Sequence, residues 1–137
     1  MSDDQLNSYI FQVPYIFIHH SVTPECFTFD DCAAEMRSMQ NYHMDSNGWC
    51  DIGYSFAIGG DGEIYEGRGW NHVGAHTYGF NDVGYGVDFI GDFTDHDPSQ
   101  AAQDTYQILA AVRPSYYNRR KCAFRLHVFL YFLVHGF

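Results

Sequence analysis

The chain has 137 residues and a formal net charge of −10 at pH 7, which is long enough for one domain with a hydrophobic core. Its acidic balance disfavours nucleic acid and anionic membrane as partners. No segment has the roughly 20 apolar residues that a membrane span requires. The polar, acidic N-terminus also lacks the basic start and apolar core of a signal peptide.

The first predicted elements are a strand and a helix. Apolar, β-branched and aromatic residues at 15–20 predict a buried strand, on which His19 and His20 point to opposite faces. After a turn, a helix is predicted over 29–45, with Thr28 as its N-cap and Gly48 beyond its end. Its inward face is predicted to carry Cys32, Met36, Met39 and His43.

The middle of the chain predicts short strands. Alternating runs at 54–58 and 63–67 flank the glycine-rich residues 59–62, a pattern typical of a β-hairpin. A further short strand is predicted at 73–76. A longer one is predicted at 84–93, where apolar and polar residues alternate.

A second helix is predicted from Asp97 to Val112, with Pro98 at its first position. Residues 126–134 fit either a strand or a buried helix. The inner face of the second helix is predicted to consist of Ala101, Thr105, Ile108, Leu109 and Val112.

The charge changes sign late in the chain. All 17 acidic residues lie at or before Asp104, whereas only Arg37 and Arg68 of the seven basic residues precede residue 113. The other five basic residues lie within 113–125. This reversal predicts a change in the character of the chain near residue 113.

Cys26 and Cys32 are six residues apart, across a turn into the first helix. That spacing permits a small disulfide loop, which would indicate an oxidising compartment. Two free buried thiols fit the spacing equally well.

Residues 48–76 concentrate the side chains suited to ligand binding. They combine tyrosine and tryptophan rings, two histidines and a single arginine around the predicted hairpin. This mixture suits a flat, polar, partly anionic ligand better than a hydrophobic core.

Several motifs occur together. They are FIHHSVTPEC at 17–26, QNYHMDSNGWCDIGYSFAIGGDGEIYEGRGW at 40–70, and GAHTYGFN followed by GVDFIGDF within 74–93. Between residues 13 and 112 the chain therefore resembles the peptidoglycan recognition proteins, which are related to the zinc-dependent type 2 N-acetylmuramoyl-L-alanine amidases.

The resemblance implies an α/β fold with a central mixed β-sheet flanked by helices, incomplete at its C-terminal end. It implies an N-terminal extension over 1–12, a partial recognition domain over 13–112 and a divergent tail over 113–137. It also favours a disulfide between Cys26 and Cys32. In many relatives the cysteine matching Cys50 pairs with an N-terminal one. No cysteine precedes Cys26, so Cys50 is expected to be unpaired or buried.

The resemblance implies a zinc ligand at His19 and a catalytic tyrosine at Tyr54. Three protein ligands would leave one position for a water whose pKa the metal lowers to about 7. With the resemblance, His19 is the ligand and His20 is its packed neighbour. Without it, a hydrogen-bonded core residue is the favoured interpretation of His19. The family's later His and Cys motifs are absent. His127 and His135 have the spacing of those ligands and form a weaker alternative.

The resemblance also implies a groove that reads the diaminopimelate form of peptidoglycan through Gly48, Trp49 and Arg68. Arginine suits the extra carboxyl group of diaminopimelate. The alternative is a surface arginine paired with Glu66 or Asp61. Other residues match groove positions that contact muramyl-peptide, although core, strand or turn roles also fit them: His43, Tyr54, His76 and Asn81. Trp70 is expected in the core.

The function implied is peptidoglycan recognition in innate immunity, with muramyl-peptides as partners. One alternative is a zinc amidase that cleaves the bond between muramic acid and L-alanine. The other is a truncated, poorly folding product. The resemblance implies secretion, although the chain has no recognisable signal peptide.

Overall fold

A mixed β-sheet forms the centre of the fold in the computed structural model, which describes residues 13–112 and 131–132. The elements in chain order are β1 (Tyr15–His20), α1 (Phe29–Asn41), a π-helical turn (Tyr42–Ser46), β2 (Phe56–Ile58), β3 (Ile64–Glu66), β4 (Gly84–Phe89), α2 (Gln100–Ala111) and β5 (Tyr131–Phe132).

The strand order within these residues is β1-β4-β2-β3-β5. Strand β4 runs parallel to both β1 and β2, whereas β3 is antiparallel to β2 and to β5. In this register Asp88 lies between His19 on β1 and Ala57 on β2. The predicted α/β fold with a mixed sheet is confirmed.

Two hydrophobic clusters cover the two faces of the sheet. One joins Met36 and Met39 of α1 to Ala57 and Tyr65. The other joins Leu109 of α2 to apolar residues of the sheet, which include Phe56, Ile58, Val87 and Phe89. Because side chains alternate along a strand, β4 contributes Val87 and Phe89 to the α2 face and leaves Gly86 and Asp88 on the α1 face.

Helix α1 begins as predicted. Thr28 caps it, since its Oγ1 accepts a hydrogen bond from the backbone N–H of Asp31 at 3.2 Å. Cys32, Met36 and Met39 are buried as expected. The prediction of one continuous helix to residue 45 was wrong, because the last turn widens into the π-helical turn that carries His43. Gly48, with φ of 68°, follows this turn.

The predicted hairpin is confirmed as β2 and β3, and the long strand is confirmed as β4 but ends at Phe89. The predicted strand over 73–76 was wrong. That segment has an irregular backbone, anchored by a hydrogen bond from Ala75 N–H to the carbonyl of Gly53 at 2.8 Å.

Helix α2 has Gln100 as its first helical residue, two residues after the predicted first position at Pro98. Ser99 is its N-cap and accepts a hydrogen bond from Ala102 N–H, so Pro98 precedes the cap. The predicted inner face was partly wrong. Ala102 and Leu109 are buried, whereas Ala101, Ile108 and Val112 are exposed. A shift of one residue along the sequence turns the buried face of the helix by roughly 100° around the helix axis.

Cys26 and Cys32 form the expected disulfide, and both side chains are buried. The expectation that Cys50 is unpaired was wrong, because Cys50 is disulfide-bonded as well. The predicted tail element at 126–134 contains β5, whose backbone pairs with β3. No helix within the described ranges is long and apolar enough to span a membrane.

Candidate functional site

A continuous line of ring contacts, termed here the ring row, crosses the α1 side of the sheet. Neighbouring ring centroids lie between 4.9 and 6.0 Å apart. Trp49, at one end, has 36% of its surface exposed, and Phe80, at the other, is also exposed. In order of contact the members are Trp49, His43, Tyr54, His19, His76, Phe17 and Phe80.

The sheet supplies the floor of the ring row. Strand β1 places Phe17 and His19 on this face, and the opposite face receives His20, whose Nδ1 accepts a hydrogen bond from Phe93 N–H at 3.0 Å. This confirms the opposite orientations of His19 and His20. Gly86 leaves the space that the His76 ring occupies, since a Cβ atom at position 86 would overlap that ring.

Three polar atoms converge in the middle of the ring row. His19 Nε2 lies 3.3 Å from His76 Nδ1 and 3.2 Å from Thr77 Oγ1. His76 Nδ1 lies 2.9 Å from Thr77 Oγ1. Burial and the neighbouring His20 lower the pKa of His19, which favours a neutral imidazole with a free lone pair.

Asn81 organises the segment that carries His76 and Thr77. Its Oδ1 accepts hydrogen bonds from both of their backbone N–H groups, each at 2.8 Å. The turn-shaping role considered for Asn81 is therefore present, and through it Asn81 positions two side chains of the site.

Tyr54 lies between the two histidines at the centre of the ring row. Burial, together with the nearby Asp88, raises the pKa of its phenol, which stays protonated and available as a hydrogen-bond donor. Asp88 itself is fully buried, and neither of its carboxyl oxygens has a hydrogen-bond partner within the described residues. Burial raises the pKa of Asp88 well above its ordinary value.

His43 and Trp49 form the end of the ring row near α1. The Nδ1 atom of His43 accepts a hydrogen bond from Gly53 N–H at 3.0 Å, so a neutral His43 carries its proton on Nε2. Burial and then Arg68 lower the pKa of His43. The backbone N–H of Trp49 donates to the carbonyl of His43 at 3.1 Å, which places the indole beside the imidazole. The exposed Gly48 precedes Trp49.

Arg68 lies behind this end of the site, with only 7% of its surface exposed. Its Nε donates to the carbonyl of Ile52 at 2.7 Å and its Nη1 to that of Val73 at 2.8 Å. Its Nη2 donates to the carbonyl of Asp51 at a longer 3.4 Å. The guanidinium is thus held by backbone carbonyls, and the surface pairing with Glu66 or Asp61 considered from the sequence was wrong. Trp70 packs against Phe56 and Tyr85, as expected of a core residue.

A cavity of about 410 Å³ lies beside the end of β1. It shares only His19 with the ring row, and its other lining residues belong mainly to the opposite face of the sheet, such as His20 and Phe89. The candidate binding surface is therefore the open ring row rather than this cavity.

The described residues do not assemble the three-ligand zinc set implied by the resemblance. No group of three or more His, Cys, Asp or Glu side chains converges within the part of the chain that the structure describes. His19 is present, but the alternative ligands His127 and His135 lie outside the described residues.

Sequence reasoning missed Thr77 and Asp88. The signal for Asp88 is a charged residue within the otherwise uncharged strand GYGVDF, where burial is expected on both faces. Thr77 has no comparable signal, since its role depends on His19, which lies 58 residues away in sequence.

The sequence model of the N-acetylmuramoyl-L-alanine amidase family matches residues 11–127. N-acetylmuramoyl-L-alanine amidase of Mus musculus is 52% identical over 93 residues, which are 66% of this chain and 18% of that protein.

Two solved structures are also similar. Bumblebee PGRP-SA superimposes with a TM-score of 0.72 at 50% identity, over 75% of this chain and 62% of that one. Peptidoglycan recognition protein-LE, solved in complex with tracheal cytotoxin, a monomeric diaminopimelic acid-type peptidoglycan, gives a TM-score of 0.72 at 42% identity, over 74% of this chain and 59% of that one. The chain spans less than two thirds of the length of each of these relatives. It belongs to the N-acetylmuramoyl-L-alanine amidase family, and its fold is that of the peptidoglycan recognition proteins.

Proposed function

We propose that this chain binds the muramyl-peptide part of peptidoglycan along the ring row. The single observation that supports this most is the continuity of the row, which links seven rings from Trp49 to Phe80 across an accessible face. Aromatic faces stack on sugar rings and on the apolar parts of peptides, while imidazole nitrogens offer neutral donors and acceptors. The complex of PGRP-LE, a relative of the same fold, supports the same ligand class.

We further propose a preference for the diaminopimelate form. An arginine carries five N–H donors, and Arg68 directs three of them to carbonyls. In this proposal the other two donors bind the extra carboxyl group of diaminopimelate. The carbonyl contacts fix the guanidinium, so its orientation is set before a ligand arrives. The diaminopimelic acid-type ligand bound to PGRP-LE supports this preference.

Isothermal calorimetry with two muramyl-tripeptides, one containing diaminopimelate and one containing lysine, tests both proposals. Trp49→Ala removes a ring contact and should weaken both ligands about tenfold, equivalent to roughly 1.4 kcal/mol. Arg68→Lys keeps a positive charge but loses the fork of donors, and should weaken the diaminopimelate ligand more than the lysine ligand.

His96→Ala serves as the control, because His96 contacts Glu25 outside the ring row. Unchanged binding by Trp49→Ala would exclude the ring row as the binding surface. An equal loss of both ligands in Arg68→Lys would exclude the selectivity. Thermal unfolding of each variant shows whether a loss of binding reflects a loss of folding.

Hydrolysis of the bond between muramic acid and L-alanine is a second candidate function. It is favoured by Tyr54, whose protonated phenol can donate a hydrogen bond to an oxyanion that develops next to it. Mass spectrometry of peptidoglycan digests detects the released stem peptide. If hydrolysis is genuine, Tyr54→Phe slows release while binding persists. If the wild-type chain releases no peptide, this second candidate function is excluded.

A further inference from the structure

Strand β1 lies at one end of the sheet within the described residues, where it pairs with β4 on one side only. The backbone N–H of Ser21, directly after β1, donates to the carbonyl of Phe89 at 3.2 Å. Because the backbone groups of successive residues point to alternate sides of a strand, the odd-numbered residues of β1 face β4. The N–H and C=O groups that point away from the sheet therefore belong to Ile16, Ile18 and His20.

This outer side of β1, termed here the β1 edge, lacks the features that usually prevent a further strand from pairing. Its six residues include no proline and no Lys, Arg, Asp or Glu, and the register with β4 continues without a bulge. Natural edge strands commonly carry such features, because exposed N–H and C=O groups are a template for another strand. Tyr15 and Ile18 are 53% and 56% exposed, whereas all six residues of β4 are buried. The β1 edge is thus accessible to an extended peptide.

The cavity of about 410 Å³ adjoins the β1 edge, since Ile18 and His20 line it. Its apolar lining residues are Ile18, Phe89, Phe93 and Pro98. A strand that pairs with β1 directs every second side chain to this side of the sheet. An apolar side chain can then enter the cavity while the peptide backbone bonds to β1. Domains that bind peptides by strand addition combine main-chain hydrogen bonds with side-chain pockets in this way.

Acidic groups surround the end of the cavity next to His20. The Nδ1 atom of His20 lies 3.8 Å from the Oδ1 atom of Asp92. Asp97 and His96 line the cavity, and His96 Nε2 lies 2.8 Å from Glu25 Oε1. Among the described residues, no Lys or Arg lines the cavity. These three carboxyl groups, termed here the acidic rim, complement a positively charged partner.

We propose that the β1 edge and the adjoining cavity bind an extended peptide, which adds a strand beside β1. The peptide carries apolar side chains at alternate positions, facing the cavity, and lysine or arginine at the end next to the acidic rim. The main-chain hydrogen bonds come from Ile16, Ile18 and His20. This surface lies on the opposite side of the sheet from the ring row, so the inference goes beyond the proposed peptidoglycan binding and does not depend on it.

Fluorescence anisotropy of the wild-type chain with a labelled nine-residue peptide, Lys-Lys-Val-Thr-Val-Thr-Val-Lys-Lys, tests the proposal. The same peptide with glutamate in place of every lysine should bind about tenfold more weakly. Two further peptides carry N-methyl groups on either the valines or the threonines, which removes the N–H donors from one side of the strand. Only one side of an added strand faces β1, so one methylated peptide should lose about tenfold in affinity and the other should bind like the parent. Equal affinities of the two methylated peptides would overturn the proposal, as would equal affinities of the lysine and glutamate peptides.

Variants of the chain locate the bound peptide. Ile18→Pro removes an N–H group that β4 does not use and should weaken binding about tenfold. Asp97→Asn removes one charge of the acidic rim and should weaken it about threefold. Asp45→Asn, which removes an equal charge from the exposed π-helical turn, and Trp49→Ala, which alters the ring row, should bind the peptide like the wild-type chain.

Wild-type affinity in both Ile18→Pro and Asp97→Asn would contradict the proposed location, and so would a loss of peptide binding in Trp49→Ala. The methylated peptides need no variant, so they decide the matter if Ile18→Pro does not fold. Sedimentation velocity of the chain alone tests a second copy as the occupant. A dimer that Ile18→Pro dissociates would assign the β1 edge to that second copy and overturn the peptide proposal.

Discussion

Arg68 is a residue whose type stands out in the sequence but whose contacts depend on the fold. The sequence marks it as unusual, since it is one of only two basic residues before position 113. The structure adds that its guanidinium is buried and bonded to three backbone carbonyls. Carbonyls are present at every position, so sequence gives no sign of which of them a side chain will reach. The sequence therefore identified Arg68 as unusual but did not predict its hydrogen-bond partners.

Asp88 is the other residue whose chemistry depends on its place in the fold. A fully buried carboxyl without a hydrogen-bond partner within the described residues is costly when ionised, and it shares the α1 face of the sheet with His19 and Tyr54. Burial raises its pKa well above the ordinary value of 3.8. The folded state therefore holds a proton that the unfolded state releases as pH rises above that value.

Replacing Asp88 should change the pH dependence of stability. Because the folded pKa is raised, the contribution of Asp88 to the wild-type free energy of unfolding is largest below the unfolded pKa and falls as pH increases towards the folded pKa. Asp88→Asn removes this dependence, so the variant should gain stability relative to wild type between about pH 4 and pH 7. Urea unfolding at several pH values measures it. The exposed Asp95→Asn is the control, and parallel curves for wild type and Asp88→Asn would contradict the prediction.

Among the elements, those with strong local patterns were predictable. Apolar, β-branched and aromatic residues predicted β1, alternating residues predicted the hairpin, and Thr28 predicted the start of α1. The inner face of α2 was misplaced because its residues are mixed around the helix. Ala101 and Ala102 are chemically alike, so the tertiary contact with Phe56 and Val87 decides between them. The segment 73–76 forms no strand, and its irregular backbone had no local signal in the sequence.

The ring row was predictable only in part, because it also depends on tertiary contacts. Trp49, His43, Tyr54, His19 and His76 were all identified as candidates, but from five separate places in the chain. Their order in space follows from the parallel pairing of β1 with β4 and from the π-helical turn. Neither feature has a local sequence signal, because each depends on contacts between distant segments.

The Cys26–Cys32 bridge connects the loop after β1 to the first turn of α1. Replacing both residues by alanine should lower the free energy of unfolding by about 2 kcal/mol, since the short loop restricts the unfolded chain only modestly. Chemical denaturation of the double variant measures this loss. The single exchange Cys32→Ser also breaks the bridge but adds a buried hydroxyl. Its difference from the double alanine variant therefore reports the effect of that polar group. A double variant as stable as wild type would show that the bridge does not stabilise the fold.

At the scale of the whole molecule, charge opposes the proposed ligand. The 17 acidic residues all lie at or before Asp104, in the part that carries the ring row, and muramyl-peptides bear carboxylates. Long-range repulsion between like charges is screened by salt, with a Debye length of about 10 Å at 0.1 M. Affinity for the diaminopimelate ligand should therefore rise between about 10 and 150 mM salt. Calorimetry at several salt concentrations tests it, with an amidated ligand as control, and a fall in affinity would contradict it.

The glycines of β4 give the molecule a property that no single residue has. Gly86 and Gly84 leave volumes that are filled by the rings of His76 and Phe17. Each ring occupies the space where a side chain of the glycine beneath it would lie, although the two residues are distant in sequence. A methyl group can be added at position 86 only if the ring at position 76 becomes smaller or moves. The two positions therefore change together, and the free energies of substitutions at them are not additive.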